Sequence, residues 1–285
     1  MSLLAVQNLS RSFGGLMAVH DLSFEVNEGE IVGLIGPNGA GKTTVFNLIS
    51  GFLPPTKGEV VFDGHVLNGH KPHEICAWGL SRTFQIVQPF PDITAFENIL
   101  IGAFVRYPNA RAAEHKAQQV LAKVGLSRKA TTLGKNLTLL ELKRLEIGKA
   151  VATEPKMLLL DEVASGLNPV EVEDVLTLVR DLNSEGMTFV LVEHVMQVIM
   201  NLSQRVVVLS FGEKIAEGTP EEIRMSETSL TGAYLSGRRR IAIPSERRVA
   251  DPERRLVVKH ASGNNLRNVT LELPVGLFVC VTGVS

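Results

Sequence analysis

The sequence predicts an α/β fold: a mostly parallel sheet covered by helices, with a helical block on its side and an incomplete β segment at its C-terminal end. Three observations predict it. Short β-branched runs alternate with helix-like stretches through residues 157–210. A glycine-rich loop stands between an apolar strand and a helix near residue 40. The first strands recur as a partial repeat after residue 255. Alternation of this kind argues for parallel strands joined by crossover helices.

In chain order, residues 5–9, 22–26 and 30–36 read as strands, and residues 42–51 as a helix that Gly51 stops. Residues 60–63 form a short strand that runs into the turn Asp63-Gly64. Residues 94–150 are helical in pattern, with Ala- and Lys-rich stretches at 110–124 and 139–152, and read as an insertion beside the sheet. Strand 157–161, helix 170–184, strand 188–192, helix 195–202 and strand 205–210 follow.

Composition narrows the function classes. Apolar residues make up 45% and charged residues 21%, a balance that supports a buried core. The net charge of -1 gives no reason to expect a nucleic-acid partner. Two distant cysteines, Cys76 and Cys280, have no metal-ligand spacing and fit a reducing, cytoplasmic compartment. No apolar run approaches the ~20 residues that span a bilayer. The start lacks the basic-then-apolar order of a signal peptide, so work at a membrane would need an anchor from another chain.

Charge divides the chain. Residues 1–226 hold 20 Lys+Arg and 25 Asp+Glu, whereas residues 227–285 hold 9 and 5. Residues 1–226 therefore read as one domain, with the helical subdomain at about 94–150. Residues 227–255 read as a basic, proline-containing linker, and residues 256–285 as the truncated start of a second domain. An offset of 247 carries Glu25, Gly29 and Gly36 onto Glu272, Gly276 and Gly283, and Leu22, Val26, Ile31, Val32 and Leu34 onto Val269, Leu273, Phe278, Val279 and Val281. No glycine-rich turn, lysine or following helix accompanies the second copy, so it binds no nucleotide of its own.

Gly36-Pro37-Asn38-Gly39-Ala40-Gly41-Lys42-Thr43, followed by Thr44, has the spacing G-x-x-x-x-G-K-[ST]. Glycines let the backbone N–H groups close on phosphate oxygens, and the following helix aims its positive end at the same anion. Lys42 would meet the β- and γ-phosphates, and Thr43 would place its hydroxyl on Mg²⁺. The alternative, a chance glycine turn, lacks the preceding apolar strand and following helix found here. Met157-Leu158-Leu159-Leu160-Asp161-Glu162 is an apolar strand ending in two carboxylates. Asp161 would hold Mg²⁺ through water and Glu162 would polarise the attacking water. Alone such a strand end is common; behind a phosphate loop it is informative. His194 follows the next apolar strand, where a γ-phosphate contact is expected; a lone histidine there is otherwise structural.

With these residues in place, residues 3–225 resemble the ATP-binding subunits of ABC transporters. The resemblance implies a P-loop nucleotide-binding domain with a helical subdomain, ATP and Mg²⁺ as cofactors, and ATP hydrolysis within a head-to-tail dimer with a second ATP-binding subunit, identical or different. It implies that Phe13 stacks on adenine, that Gln85 in Ser81-Arg82-Thr83-Phe84-Gln85 links Mg²⁺ to the membrane partner, that Ser165-Gly166-Leu167-Asn168 is the dimer-contact loop, and that His194 is the switch histidine. Membrane permease subunits are the implied partners, a periplasmic or extracellular solute-binding protein an indirect one, and the cytoplasmic face of the membrane the implied location. The stretches 79–85, Leu145-Glu146-Ile147, Gly166-Leu167-Asn168-Pro169 and Glu193-His194 look like the high-affinity branched-chain amino acid importers; urea and amide importers share much of this pattern.

One departure is evident. The family's signature loop, LSGGQ or a near variant, is here Leu137-Thr138-Leu139-Leu140-Glu141. Leu139 and Leu140 would crowd the γ-phosphate of the ATP held by the opposite subunit, Glu141 would add negative charge near it, and Leu140→Gly would restore room. Either the loop tolerates this, or a heterodimer partner supplies the competent loop. Residues 227–285 resemble something else. Ser229 to Arg240, Asn264-Asn265-Leu266-Arg267-Asn268-Val269 and Phe278 to Ser285 look like the start of the second ATP-binding half of the excinuclease damage-recognition ATPase of nucleotide excision repair. A chimera, by fusion or by assembly error, is the simplest account. The rival readings are a DNA-repair ATPase of that type and a nucleotide-binding regulator without turnover. Cys76 as the sole cysteine before residue 226 argues against the first, and intact Glu162 and His194 against the second.

Overall fold

The computed structural model describes residues 2–226, 238–239, 246 and 248–281. The segment 229–240, apart from Arg238 and Arg239, and the C-terminal residues that include Gly283 lie outside the described residues. The chain divides into two units, Met1–Arg238 and Arg239–Ser285.

In the first unit, β1 (Ser2–Phe13) and β2 (Leu16–Asn27) form a long antiparallel hairpin. It joins β4 (Lys57–Phe62) and β5 (His65–Val66) in a four-stranded sheet of order β2-β1-β4-β5. The second sheet has the order β10-β9-β3-β8-β7-β6. Here β3 is Ile31–Ile35, β6 Leu80–Arg82, β7 Met157–Asp161, β8 Thr188–Val192, β9 Arg205–Ser210 and β10 Glu213–Gly218. All pairings in it are parallel except the edge pair β9–β10. The strands β3, β7 and β8 are buried at every position, the expected state of parallel strands covered on both faces.

Two groups of helices are decisive for the site. Helix α1 (Lys42–Ile49) follows the glycine loop and buries Val45, Phe46, Leu48 and Ile49 between the two sheets. Helices α3 (Ala95–Ala103), α4 (Ala110–Lys123) and α5 (Leu139–Val151) make the helical block. Helices α6 (Pro169–Ser184) and α7 (Met196–Leu202) complete the α/β alternation. Helix α2 (Pro72–Trp78), strands β5, β6 and β10, and helix α8 (Pro220–Met225) add to the elements that the sequence pattern predicts. Among the described residues, no helix is long and apolar enough to cross a membrane.

The second unit is a two-stranded hairpin, β11 (Arg255–Ala261) and β12 (Val269–Pro274). Its first strand begins at Arg255, the last residue of the expected linker. The hairpin reproduces the β1–β2 hairpin in detail. Val6 pairs with Phe24 and Leu9 with Leu22 across a bulge; Val258 pairs with Leu271 and Ala261 with Val269 across the same kind of bulge. The residues at the bulge are left-handed in both, Asn8 and Asp21 at φ 47° and 47°, His260 and Asn268 at φ 54° and 55°. Asn8 Nδ2 donates to Asp21 Oδ1 at 2.9 Å, and His260 Nδ1 lies 2.8 Å from Asn268 Oδ1. Asp21 N donates to Ser10 Oγ at 3.0 Å, and Asn268 N to Ser262 Oγ at 3.2 Å. The apolar face differs in its cover: Leu4, Val6, Leu22 and Phe24 are buried, whereas Leu256, Val258, Val269 and Leu271 are exposed.

Among the described residues both hydrophobic core clusters fall within residues 3–223. A chain ended after Met225 is therefore expected to unfold at the same urea midpoint as the full chain and to be more soluble, since exposed apolar strands pair with other chains. A midpoint shifted down by more than experimental error would show that the C-terminal unit contributes to folding.

Candidate functional site

The parallel register sets the site. Ile35 of β3 is level with Val208 of β9, Leu34 is level with Val192 of β8, and Val192 is level with Asp161 of β7. The chain therefore leaves three neighbouring strands at one edge of the sheet, and the segments after them carry the glycine loop, the Asp161-Glu162 pair and His194. Binding sites in open α/β sheets form at such C-terminal strand ends.

The glycine loop needs its glycines. Gly36 has φ 155° and a Cβ there would meet Leu209 O at 2.3 Å; Gly41 has φ 99° and a Cβ would meet Ala18 O at 2.5 Å. Lys42 is folded over the loop, its Nζ donating to Gly36 O at 2.8 Å and Pro37 O at 2.9 Å. Burial pushes the Lys42 ammonium's pKa down, and the Glu162 and Asp161 carboxylates oppose that. A cavity of about 750 Å³ is lined by Phe13, Asn38, Gly39, Ala40, Gly41, Lys42, Thr43, Thr44, Gln85, Glu162 and His194. Gly36 and Asp161 do not line it. Gly36 O accepts from Lys42, which does line it. Asp161 lies behind it, 2% exposed, its Oδ2 accepting from Arg82 Nη2 at 2.8 Å.

Glu162 is the centre of the polar network. Its backbone is left-handed at φ 50°, a conformation that costs a non-glycine residue of order 1 kcal/mol or more. The conformation is held by Glu162 N donating to Val192 O at 2.8 Å. Its two carboxylate oxygens face different partners: Gln85 Nε2 donates to Oε2 at 2.7 Å, and His194 Nε2 lies 2.6 Å from Oε1. Residues 77 and 32 positions apart along the chain are thus drawn to one carboxylate.

Three further residues support the site, and one of them, Lys143, carries no signal in the sequence. Lys143, on the second turn of α5, is buried and its Nζ donates to Glu162 O at 2.9 Å and Gln85 O at 3.4 Å. Burial pushes its pKa down against the opposing Glu193, Glu162, Asp161 and Glu146 charges. Glu193 takes the reverse shift: burial and the Glu162 charge raise its pKa, while the Ala164 N–H, donating to Oε1 at 2.9 Å, opposes the rise. Arg82 bonds Asn47 Oδ1 at 2.6 Å as well as Asp161, and its guanidinium lies over the Phe46 and Phe84 rings at 5.4 and 5.2 Å. Nothing in the spacing marks Lys143; only the fold brings it under the site.

The altered loop 137–141 requires a correction. Its last three residues are not loop: α5 starts at Leu139, with Thr138 as its N-cap. Glu141 is the capping-box partner, its Oε2 accepting from Thr138 N at 2.9 Å, and its Oε1 is paired with Lys129 at 3.1 Å. These partners hold the Glu141 pKa down against its partial burial. The expected unpaired negative charge is thus already neutralised within the chain. The two leucines also differ. Leu140 packs against the core, whereas Leu139 is 42% exposed and sits over Gly166, where an added Cβ would come within 2.9 Å of it. Asn168 of the same loop as Gly166 caps α6, accepting from Val170 N and Glu171 N at 3.0 and 3.1 Å.

Comparisons with known proteins match the fold. The ABC transporter family matches residues 19–165. A high-affinity branched-chain amino acid transport ATP-binding protein of Pseudomonas aeruginosa is 40% identical over 249 residues, covering 82% of this chain and 97% of that protein. A probable branched-chain amino acid transport ATP-binding protein of Methanocaldococcus jannaschii is 34% identical over 235 residues, covering 78% and 91%. Among solved structures, a nucleotide-free ATP-binding cassette from an ABC transporter superposes with a TM-score of 0.74 at 31% identity, covering 83% of this chain and 99% of that one. A cassette in its ADP conformation gives 0.74 at 32% identity, covering 83% and 98%.

Because Leu140 packs against the core and Leu139 is exposed, glycine substitutions at the two positions are expected to differ. Leu140→Gly should cost about 2 kcal/mol or more, from lost packing and helix propensity; Leu139→Gly should cost about 1 kcal/mol or less. Urea denaturation of both variants checks this, and equal costs would contradict the assignment.

Proposed function

The chain belongs to the ABC transporter family of ATP-binding cassettes, and from that premise we propose that it is the ATP-hydrolysing subunit that powers import of branched-chain amino acids through membrane permease subunits. The identity of 39–41% with branched-chain amino acid transport ATP-binding proteins of several bacteria, along 97% of their length, carries this reading. In it Lys42 and the backbone of residues 36–44 hold the phosphates, Phe13 takes the adenine, Glu162 polarises the attacking water, His194 senses the γ-phosphate, and Gln85 links Mg²⁺ to the membrane partner.

Mg²⁺ supplies charge neutralisation on the phosphates when bound. Of the residues that would hold it, Thr43 and Gln85 bring hard oxygens to the cavity wall, while Asp161, behind the wall with Oδ2 on Arg82, would act through water. Among the described residues no group of three or more His, Cys, Asp or Glu is placed to hold a metal alone. Mg²⁺ is characteristically held by one or two protein oxygens, substrate phosphates and water.

The permease partner has a candidate seat. Phe52, Phe84, Phe90 and Ile101 are exposed around a groove of about 400 Å³ between the phosphate-loop layer and the helical block. Phe52 and Phe84 meet edge to face at 5.7 Å. Exposed apolar clusters of this kind mark interaction surfaces. Phe84 lies under the guanidinium of Arg82, which holds Asp161. A partner seated there would therefore touch the hydrolysis site through two side chains. In this reading, attachment through this groove holds the protein on the cytoplasmic face of the membrane. A second ATP-binding subunit, identical or different, completes the assembly in this reading.

For residues 227–285 we propose a basic linker to about residue 255 and then the opening hairpin of a second ATP-binding domain, of the type found in the excinuclease damage-recognition ATPase. What supports this is the repeated bulge with its equivalent side-chain bonds, described above.

Glu162→Gln keeps the shape of the side chain and removes its charge. ATP turnover is expected to fall by roughly 10² or more, with ATP binding kept. Cells that carry this variant as their only copy should lose leucine, isoleucine and valine uptake. Turnover at the unmodified rate would move the catalytic role elsewhere. Loss of another solute's uptake with leucine uptake intact would overturn the branched-chain reading.

A further inference from the structure

The β9–β10 hairpin turns on two residues, Phe211 and Gly212, with Ser210 paired to Glu213. Both turn residues have positive φ, 48° and 84°. This is the tight turn that Asn-Gly or Asp-Gly forms at least cost, because a short polar side chain tolerates the left-handed region and bonds its own backbone. Phenylalanine does neither. It is also 88% exposed, so its ring gains almost nothing from burial within the chain. A residue that conflicts with its local geometry and with its solvation marks a place where another requirement prevails.

The turn is fixed against the phosphate loop. Gly212 N donates to Ala40 O at 3.1 Å, and His20 N donates to Gly212 O at 2.9 Å. A Cβ on Gly212 would meet Ala18 O at 2.8 Å, so the close approach depends on that glycine. Clamped in this way, Phe211 stands on the wall of the phosphate-loop cavity together with Phe13, Leu16 and Met17. All four side chains are exposed. They make an apolar rim to a cavity whose other walls are glycines, Lys42, Thr43, Glu162 and His194. The Arg11 guanidinium lies 4.8 Å from the Phe13 ring centroid and occupies one ring face, so Phe13 offers a ligand only its other face.

We propose that Phe211 is a second base-contacting residue, forming with Phe13, Leu16 and Met17 the apolar receptacle for the purine of the nucleotide whose phosphates residues 36–44 hold. The inference rests on the nucleotide reading above and adds the part of the site that distinguishes a nucleoside triphosphate from a bare polyphosphate. A purine is planar and apolar on both faces, and gains from stacking on or packing against aromatic side chains. The ring of Phe211 supplies such a surface from the β9–β10 turn.

The test uses the full chain with Mg²⁺ and two ligands, ATP and inorganic tripolyphosphate, which has the phosphates and no base. Phe211→Asn installs the residue the turn favours, so the hairpin and its clamp on Ala40 are kept while the ring is lost. Phe211→Tyr keeps the ring. Phe211→Asn is expected to bind ATP about 5- to 10-fold more weakly, to bind tripolyphosphate as the unmodified chain does, and to unfold at the same temperature or higher. Phe211→Tyr should bind both ligands normally. Unchanged ATP affinity in Phe211→Asn overturns the assignment. An equal loss for both ligands also overturns it, because the turn would then act on the phosphates through Ala40. If the unmodified chain bound neither ligand, the nucleotide reading itself would fall, so the two failures are distinguishable.

Discussion

The working part of the molecule depends on one constraint, the parallel register of β3, β8 and β7. These strands are buried along their whole length, so a slip by one residue would put every side chain into close-packed space shaped for a different one. With the register fixed, Ile35, Val192 and Asp161 end at one edge. The glycine loop, the carboxylate pair and the histidine then have no freedom to be far apart. The loops carry the chemistry, and the strands decide where the loops begin.

Around that edge the polar groups form a connected set. Glu162 accepts from Gln85 and faces His194, while Lys143 holds the backbone oxygens of both Glu162 and Gln85 from below. Lys143 belongs to α5, the helix whose N-terminus carries the altered loop. Arg82 joins Asp161 to α1 on one side and to Phe84 at the apolar groove on the other. A buried ammonium or guanidinium is tolerated only where such partners satisfy it. These cations therefore tie the site to its surroundings in fixed geometry: α5 through Lys143, and the groove through Arg82.

Much of this is legible in the sequence where a pattern has a direct physical cause. The strand–glycine–lysine–helix order has one structural solution, and the apolar strand ending in Asp161-Glu162 can only deliver its carboxylates at a sheet edge. The alternation of strands and helices after residue 157 is legible for the same reason. Lys143 and Phe211 are not, because their roles come from contacts across the fold and their neighbours in sequence carry no period that marks them. Glu141 misleads in the sequence because Thr138-Leu139-Leu140-Glu141 stands out as a departure from a loop, although it is also a capping box, in which the glutamate turns back to bond Thr138. The repeat in residues 256–281 is visible as spaced apolar and glycine positions. The shared bulge is not, since its two strands follow different offsets, 252 and 247, on either side of it.

The central claim is that the edge formed by β3, β7 and β8 is a nucleotide triphosphate site organised around Lys42. The most direct measurement is a calorimetric titration of Mg-ATP into the full chain and into Lys42→Ala. Removing a charge-assisted contact to phosphate oxygens should weaken binding by about 10-fold or more while the fold, read by circular dichroism, stays intact. Equal affinity in the two proteins would contradict the account.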